Sequence, residues 1–487
     1  MRRAVLATAS LAIGITLTAS LATGGTAQAN GAQAAGRTPV IPGDLLLSRI
    51  HYTGTAGLIT PGVTVLPTGA VAISDGDFAH VWDNVSVDGN FGITAPIYLD
   101  QLSPAGTLVD SIAVPDGTPG ASSRGHDVLM GSFSSKSELG LNLSTGGSAV
   151  TFMGYVAPAN TLDASNGNTP GVFDPTNPDG QSIYRAVAEL DRNGKFWITE
   201  TNAYSGDNGR AAILDEGTGF YYTAGNSNNG EGTDVPGLIF GTGAQLVAPA
   251  YLSEQEQTPG DPTPVGGFSV TRLPANTKAD KLGKDTNFSG VTVHDNVLYY
   301  AKGSGSNGID TVYFVDTTGR ACRQGVGLPA AGAPLPAAPD AFNPITGEPA
   351  YNMCVLAGFL TALAKSVKNP ETGAASNSTG LDLGVPYPVA GLPTGTNAIT
   401  GRPWTPAVDG VRNLTGRTNA DGTVTLYAVT TAIGGVSDYG ADPNKLVSVT
   451  DATDATALPA GEQLTTLRTA AAGDVFRGVA FAPGTTR

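Results

Sequence analysis

Three short stretches of the chain repeat one pattern, in which an aspartate is followed three residues later by an arginine, a small or polar residue and an aliphatic residue. The copies span residues 207–212, 409–414 and 474–479, and their arginines are Arg210, Arg412 and Arg477. A charged pair that recurs at the start of apolar segments indicates a repeat architecture, in which each copy occupies the same place in one structural unit. This pattern constrains the fold more than any other feature of the sequence.

The rest of the chain reads as short apolar runs separated by turn residues. It contains 66 glycines in 487 residues, and Asn, Asp and Pro accompany them between the runs. Two runs that flank such a cluster predict a β-hairpin. The pairs are 96–102 with 107–114, 138–143 with 148–156, 184–190 with 195–199, 210–214 with 219–223, 291–294 with 297–301 (followed by 311–315), and the triplet 411–415, 423–430 and 446–450.

Many strands at short spacing are typical of sandwiches, barrels, solenoids and propellers. The repeats favour an all-β fold, a β-propeller, over residues 43–483. Blades of about 40 to 50 residues give about seven blades once segment 321–405 is set aside, and six or eight are alternatives. The runs at 44–50 and 475–482 are predicted to share one blade, because pairing of the first and last strands closes such a ring.

Segment 321–405 differs from its surroundings and is interpreted as a Pro-rich insertion within the propeller. It holds both cysteines of the chain, Cys322 and Cys354. In an exported protein two cysteines favour a disulfide bond over two free thiols. Residues 354–365 have apolar positions on one helical face, which predicts a helix. An ordered cap pinned by the disulfide is expected, with a loose surface loop as the alternative.

The N-terminal residues predict export. Arg2 and Arg3 precede an apolar run without acids, and 27–29 match a small-residue cleavage site, so 1–29 is interpreted as a signal peptide and 30–42 as a flexible leader. A membrane anchor is the alternative. The net charge of −15 argues against nucleic acid and anionic membranes as partners. The mature chain is expected to be secreted, extracellular and monomeric.

Residues 474–483, 97–102 and 297–300 together resemble a broad group of secreted bacterial β-propeller proteins, which are largely uncharacterised. The resemblance covers most of the chain after the signal peptide and outside 321–405. It implies the propeller fold, and it implies no catalytic residues.

The repeated arginines allow two interpretations. In the first, each aspartate pairs with an arginine of its own or the next unit and locks the ring. In the second, several guanidinium groups converge on a carboxylate, sulfate or phosphate ligand. Repetition at equivalent places favours the first. Arg185 is a further arginine without the aspartate, which makes it the best ligand-binding candidate, and Ser289 occupies the arginine position of another copy.

Catalytic signals are sparse. His126 lies between basic and acidic neighbours and is the best candidate for proton transfer, followed by His80, although a hydrogen-bonded loop histidine is the simpler interpretation. No serine-nucleophile motif or metal-ligand spacing is present. No cofactor is expected. Calcium is possible at the acid-rich stretches 75–77, 174–180 and 451–454, which turn chemistry also explains.

Trp82 and Trp404 lie in loop-like segments and could stack on sugar faces, as the arginines could bind anionic groups. The leading hypothesis is a binding protein without catalysis, whose partner is an extracellular carbohydrate, another polymer or a small anionic ligand. The alternative is a polysaccharide lyase or hydrolase acting on an anionic polymer, with His126 as base and Arg185 neutralising a carboxylate.

Overall fold

All regular secondary structure in the described part of the computed structural model is β-strand, which confirms the all-β prediction. The described residues are 39–52, 62–65, 67, 69, 71, 92–117, 128–135, 138–170, 179–201, 203–226, 243–249, 264–270, 287–302, 312–318, 320–321, 326–330, 335, 352–357, 384–396, 403–433, 441–453 and 462–486. They belong to one compact unit, Arg37–Arg487.

The described strands are numbered here in chain order. They are β1 Leu45–His51, β2 Ile93–Leu102, β3 Leu108–Ala113, β4 Met130–Phe133, β5 Asn142–Leu143, β6 Ala149–Tyr155, β7 Gly167–Asn168, β8 Asp179–Ser182, β9 Arg185–Asp191, β10 Phe196–Thr201, β11 Gly209–Asp215, β12 Phe220–Gly225, β13 Ala244–Val247, β14 Pro264–Val270, β15 Phe288–His294, β16 Val297–Lys302, β17 Val312–Asp316, β18 Val326–Gly327, β19 Asn352–Leu356, β20 Ala407–Thr418, β21 Thr423–Ile433, β22 Lys445–Ala452, β23 Thr465–Thr469 and β24 Asp474–Phe481.

These strands form five antiparallel groups of four. The groups run β24-β1-β2-β3, β5-β6-β9-β10, β11-β12-β13-β14, β15-β16-β17-β19 and β20-β21-β22-β23. Every hairpin predicted above is present. Two links join groups into nine-stranded sheets: β4 lies between β2 and β6, and β14 pairs in parallel with β19.

The first strand and the last strand pair along their whole lengths, from Leu45 opposite Phe481 to His51 opposite Asp474. This confirms that the two ends of the described chain share one sheet. Their apolar side chains meet in the largest buried cluster, which includes Leu47, Val479 and Phe481. Nearly every residue of both strands is buried, so this pair is covered on both of its faces.

β-Bulges recur at one place in four of the groups. The pairing register of the first strand skips Arg210 in β11, Ser289 in β15, Arg412 in β20 and Arg477 in β24; β20 also skips Asp409. A bulge residue has no cross-strand partner, so its side chain can point in a direction that the regular pleat forbids. The repeated motif therefore marks equivalent positions, including the copy in which serine replaces arginine.

The first strands of the five groups lie beside one another. β11 contacts both β15 and β5, β5 contacts β24, and β24 contacts β20. The backbone of β24 approaches the segment before β5 closely. A Cβ atom added at Gly478 would lie 2.3 Å from the carbonyl oxygen of Leu139. The amide of Gly140 also donates to the carbonyl of Arg210 at 3.0 Å. The segment before β5 is therefore held between β24 and β11.

Part of the predicted insertion, strand β19, belongs to the same sheet as β17. β19 lies within 321–405 and pairs with β17, so Cys354 is in a strand and the helix predicted for 354–365 is wrong at its start; residues 358–365 lie outside the described ranges. Cys322 and the side chain of Cys354 also lie outside the description, and their disulfide bond stays a prediction.

At the N-terminus, the signal peptide and most of the leader lie outside the described ranges. Val40, near the end of the leader, is buried, and its amide donates to the carbonyl of Arg192 at 3.0 Å. In the part of the chain that the structure describes, no helix has the length and apolar character needed to cross a membrane.

Candidate functional site

The three arginines at the bulges, Arg210, Arg412 and Arg477, are termed here the bulge arginines. Together with Glu138, Tyr155 and Asp207 they form a group of interacting polar residues, termed the central polar cluster. The bulges explain the convergence, since each lets a first strand direct a long side chain out of its own pleat. Arg477 is almost fully buried with 1% exposure, whereas Arg210 and Arg412 are half-buried.

Glu138 is the buried carboxylate of the cluster, with 1% exposure. It precedes Leu139, which has a positive φ of 71° at the start of the segment that leads into β5. Such a conformation is costly for a bulky residue and persists only where surrounding contacts enforce it. One oxygen of Glu138, Oε1, accepts from the amide of Ser132 at 2.6 Å. The other, Oε2, has no hydrogen-bond partner among the described residues.

Arg477 reaches the same residue of β4 as Glu138 does. Its Nη2 donates to the carbonyl oxygen of Ser132 at 3.3 Å. Burial raises the pKa of Glu138 above its ordinary value, and the positive charges of Arg477 and Arg412 oppose that rise. Two of the three bulge arginines therefore stabilise the ionised form of this carboxyl group, while its surroundings favour the neutral form.

Arg210 is the third bulge arginine. Its Nη1 forms a short hydrogen bond with Oδ1 of Asn287 and donates to the carbonyl of Phe288 at 3.3 Å. Its Nε is buried and has no hydrogen-bond partner among the described residues. Burial lowers the pKa of Arg210, whereas the charges of Asp207 and Glu138 raise it. Arg210 thus joins β11 to the start of β15 and feels both carboxyl groups of the cluster.

Asp207 does not form an ion pair with the arginine of its own motif. Its Oδ1 accepts a short hydrogen bond from the amide group of Asn226 and a longer one, 3.3 Å, from the backbone of Asn208. Burial raises its pKa to about 6, against the opposing charges of Arg210 and Arg185. A carboxyl group in this state changes charge near neutral pH.

Tyr155 interacts electrostatically with both carboxyl groups of the cluster, those of Glu138 and Asp207. Its hydroxyl is fully buried and donates to Oδ1 of Asn208 at 2.6 Å. Burial raises the pKa of Tyr155 well above its ordinary value; the charges of Glu138 and Asp207 add to the rise, and Arg185 and Arg210 oppose it. The phenol therefore stays protonated and serves as a hydrogen-bond donor.

Arg185, predicted as a ligand-binding residue, lies inside the protein and contacts backbone carbonyl groups. The side chain is fully buried, and it donates to the carbonyl oxygens of Ser165, Gly167, Ile183 and Asp207 at 2.6–2.8 Å. Burial lowers its pKa to about 10. A guanidinium group with its donors committed in this way holds three backbone segments together and leaves little capacity for a ligand.

The expected pairing of each aspartate with a repeat arginine is replaced in the third copy by another arrangement. Asp474 accepts from Arg49 at 3.1 Å and lies 2.7 Å from Nδ1 of His51. Arg49 also binds both oxygens of Asp100, at 2.9 and 3.1 Å, and lies 4.7 Å from the ring centre of Tyr98. Asp474 is therefore part of an ion network between β24, β1 and β2, which leaves Arg477 to the central polar cluster.

Of the remaining candidates, the structure describes only Trp404. His80, Trp82 and His126 lie outside the described ranges. Trp404 is half-buried before β20, and its amide donates to the carbonyl of Gly395 at 3.0 Å.

The predicted calcium stretches are only partly described. Residues 75–77, 171–178 and 454 lie outside the described ranges, and the described Asp451 accepts from the next amide at 2.7 Å, as turn chemistry predicts. Within the described residues, no group of three or more His, Cys, Asp or Glu side chains could hold a metal ion.

Sequence reasoning missed Glu138 as a site residue, although it placed the residue at the start of a predicted strand. The available signal was the order Leu139, Gly140, Leu141, which matches Arg477, Gly478, Val479 in the repeat. Glycine recurs because the two backbones touch there. Glu138 is the acidic residue immediately before this copy, and its position there is the signal that would have predicted a carboxyl group beside the repeat arginines.

Comparisons with known proteins add no assignment. No protein-family model matches the chain, and no curated protein is similar enough in sequence to count as a match. The function must therefore be argued from the central polar cluster itself.

Proposed function

We propose that the chain is a secreted β-propeller that binds anionic groups of an extracellular polymer at the central polar cluster, without catalysis. Three arginines, Arg210, Arg412 and Arg477, occupy equivalent bulges and act electrostatically on one buried carboxyl group, Glu138. This convergence is the observation that carries the proposal.

The five antiparallel groups support the propeller. Their first strands make contacts in the order β15, β11, β5, β24, β20, which is the cyclic order of the chain with one link left over. The pairing of β1 with β24 is the closure that a propeller uses. We assign one blade to each of the five described groups, and the number of about seven blades predicted from the sequence stays a prediction.

The charge balance of the cluster supports an anionic ligand. The cluster holds three guanidinium groups against the two carboxyl groups of Glu138 and Asp207, and burial raises the pKa of both carboxyl groups above their ordinary values. Excess positive charge in a poorly solvated place attracts anions more strongly than the same charge on an open surface. Guanidinium groups also match the geometry of carboxylate, sulfate and phosphate oxygens. An acidic polymer offers such groups at regular intervals.

The enzyme alternative has less support. A lyase was expected to use Arg185 to neutralise a substrate carboxylate, and that side chain is committed to four backbone carbonyl groups. The expected base, His126, lies outside the described residues. We therefore propose the binding function first and treat cleavage as an outcome of its test.

The test is retention of the mature protein on immobilised polysaccharides that carry uronate groups, sulfate groups or no charge. We expect retention on the charged polymers, weaker at high salt, and at least a tenfold loss of affinity for Arg412→Met, about 1.4 kcal/mol. Arg417→Met, at an exposed arginine of the same strand, is the matched control and should bind as the wild type does. Equal retention on neutral polymer would contradict the proposal, and unsaturated sugar products would establish a lyase instead.

A further inference from the structure

The central polar cluster contains a carboxyl group, that of Glu138, whose surroundings are unusual for a charged side chain. Glu138 is buried, one of its oxygens is bonded to the amide of Ser132, and the other has no partner in the described part of the chain. A buried carboxylate oxygen without hydrogen bonds is expensive, because nothing there replaces its hydration. The arginines compensate the charge through space, without a hydrogen bond to Oε2.

We propose that Glu138 is a built-in counter-ion of the bulge arginines, and that an anion bound at these arginines takes its place while Glu138 accepts one proton. This inference rests on the proposed anion-binding function and adds how the binding is regulated. The proton goes from solvent to Oε2, and Oε1 keeps its bond to Ser132. The net change is one anion and one proton bound, so a singly charged group leaves the charge of the cluster as it was, whereas doubly charged sulfate makes it one unit more negative.

The charged and titratable groups that interact with Glu138 come from four strands. They are Tyr155 from β6, Arg210 from β11, Arg412 from β20 and Arg477 from β24, and the amide of Ser132 in β4 donates to Glu138. The arginines favour the ionised form of Glu138 when no anion is bound. An external anion at the arginines cancels that attraction and adds repulsion, so the neutral form becomes favoured.

Binding and protonation are then linked in both directions. If the anion favours protonation, protonation must favour the anion by the same factor. The affinity for the anion should fall by about tenfold for each unit by which the pH rises. This holds over the pH range in which Glu138 is ionised without the anion and protonated with it. The position of Glu138 within the protein, away from solvent, makes this coupling stronger than it would be for an exposed acid.

The probe for the test is inorganic sulfate, which does not titrate at working pH. Calorimetric titration in two buffers of different ionisation enthalpy measures the protons taken up on binding. We expect uptake of about one proton and an affinity that rises as the pH falls. Glu138→Gln mimics the neutral form, so it should bind sulfate at least as tightly as the wild type does at low pH, without proton uptake or pH dependence.

The discriminating variant is Asp207→Asn, at the other buried carboxyl group of the cluster, where loss of the carboxyl group should also change the affinity for sulfate because Asp207 acts on Arg210. It should keep the proton uptake if Glu138 is the acceptor, and the reverse result would assign the proton to Asp207 and overturn the inference. Sulfate binding without uptake in the wild type would overturn the inference and leave the proposed function standing. Absence of sulfate and uronate binding at every pH would overturn the proposed function. The wild-type titration is decisive even if Glu138→Gln does not fold.

Discussion

The guanidinium group of Arg49 donates to the carboxylate of Asp474 at 3.1 Å, so an ion pair joins the first strand to the last across 425 residues of sequence. The same guanidinium group binds Asp100 with both of its remaining nitrogens, and the side chain of Asp100 is only 2% exposed. The network lies at the point where the two ends of the described chain meet.

Replacement of Arg49 by methionine should destabilise the protein. The change leaves the buried carboxylate of Asp100 with one side-chain partner among the described residues, the hydroxyl of Ser111 at 2.6 Å. We expect a loss of about 2–3 kcal/mol in the free energy of unfolding, measured by urea denaturation. Arg320→Met, at an exposed arginine, is the control and should change stability by less than about 0.5 kcal/mol. Equal effects of the two changes would contradict the role given to Arg49.

Replacement of Arg185 by methionine should act on stability and leave anion affinity unaffected. Four carbonyl oxygens would lose their donors inside the protein, which we expect to cost about 3–5 kcal/mol. The measurement is urea denaturation together with sulfate affinity under conditions in which the variant is folded. A stable variant that no longer binds sulfate would restore the ligand-binding role predicted from the sequence.

Asp207 should make stability depend on pH. Its folded-state pKa of about 6 is above the ordinary value of 3.8, so the folded state holds this proton more tightly than the unfolded chain does. The contribution is fully present at pH below the ordinary value and is lost as the pH rises through about 6. A shift of this size corresponds to about 3 kcal/mol.

The variant Asp207→Asn tests that contribution and keeps the oxygen that accepts from Asn226 and Asn208. Urea denaturation at several pH values between about 4 and 7 should show a smaller loss of stability with rising pH than in the wild type. Some slope should persist, because burial also raises the pKa of Glu138. Parallel curves for the two proteins would show that Asp207 does not titrate as described.

The close approach of the first strands can be tested with two glycines at equivalent positions. In β24, a Cβ at Gly478 would lie 2.3 Å from the carbonyl of Leu139 and 2.5 Å from the amide of Leu141. Gly478→Ala should therefore cost about 3 kcal/mol or more, as measured by chemical denaturation. In β15, a Cβ at Gly290 would meet no atom within 4 Å, and Gly290→Ala should be tolerated. Similar losses for both would contradict the contact between β24 and the segment before β5.

The local structure was largely predictable because hairpins depend on neighbouring residues. Turn residues between apolar runs predicted the pairs β2–β3, β9–β10 and β15–β16, and each pair is present. The pairing of β1 with β24 was also predicted, from strands at both ends and the need to protect a sheet edge. These signals operate over a few residues or through one general rule.

The missed features depend on contacts between distant segments. The apolar start of 354–365 suggested a helix, yet residues 352–356 complete the sheet beside β17, where a strand partner decides the conformation. The backbone contacts of Arg185 depend on carbonyl groups from two distant segments, at 165–167 and at 207, which no local pattern reveals. The repeat located the three bulge arginines but not their common partner, because Glu138 precedes a copy in which leucine occupies the arginine position.

Pairing of the first strand with the last has a consequence for synthesis. Arg49 in β1 precedes its partner Asp474 in β24 by 425 residues. A growing chain therefore presents an unprotected apolar strand edge until β24 has been made, which favours chaperone binding or degradation over a half-finished fold. Quality control is built into the order of the strands, because only a copy that extends through β24 can bury β1 on that side.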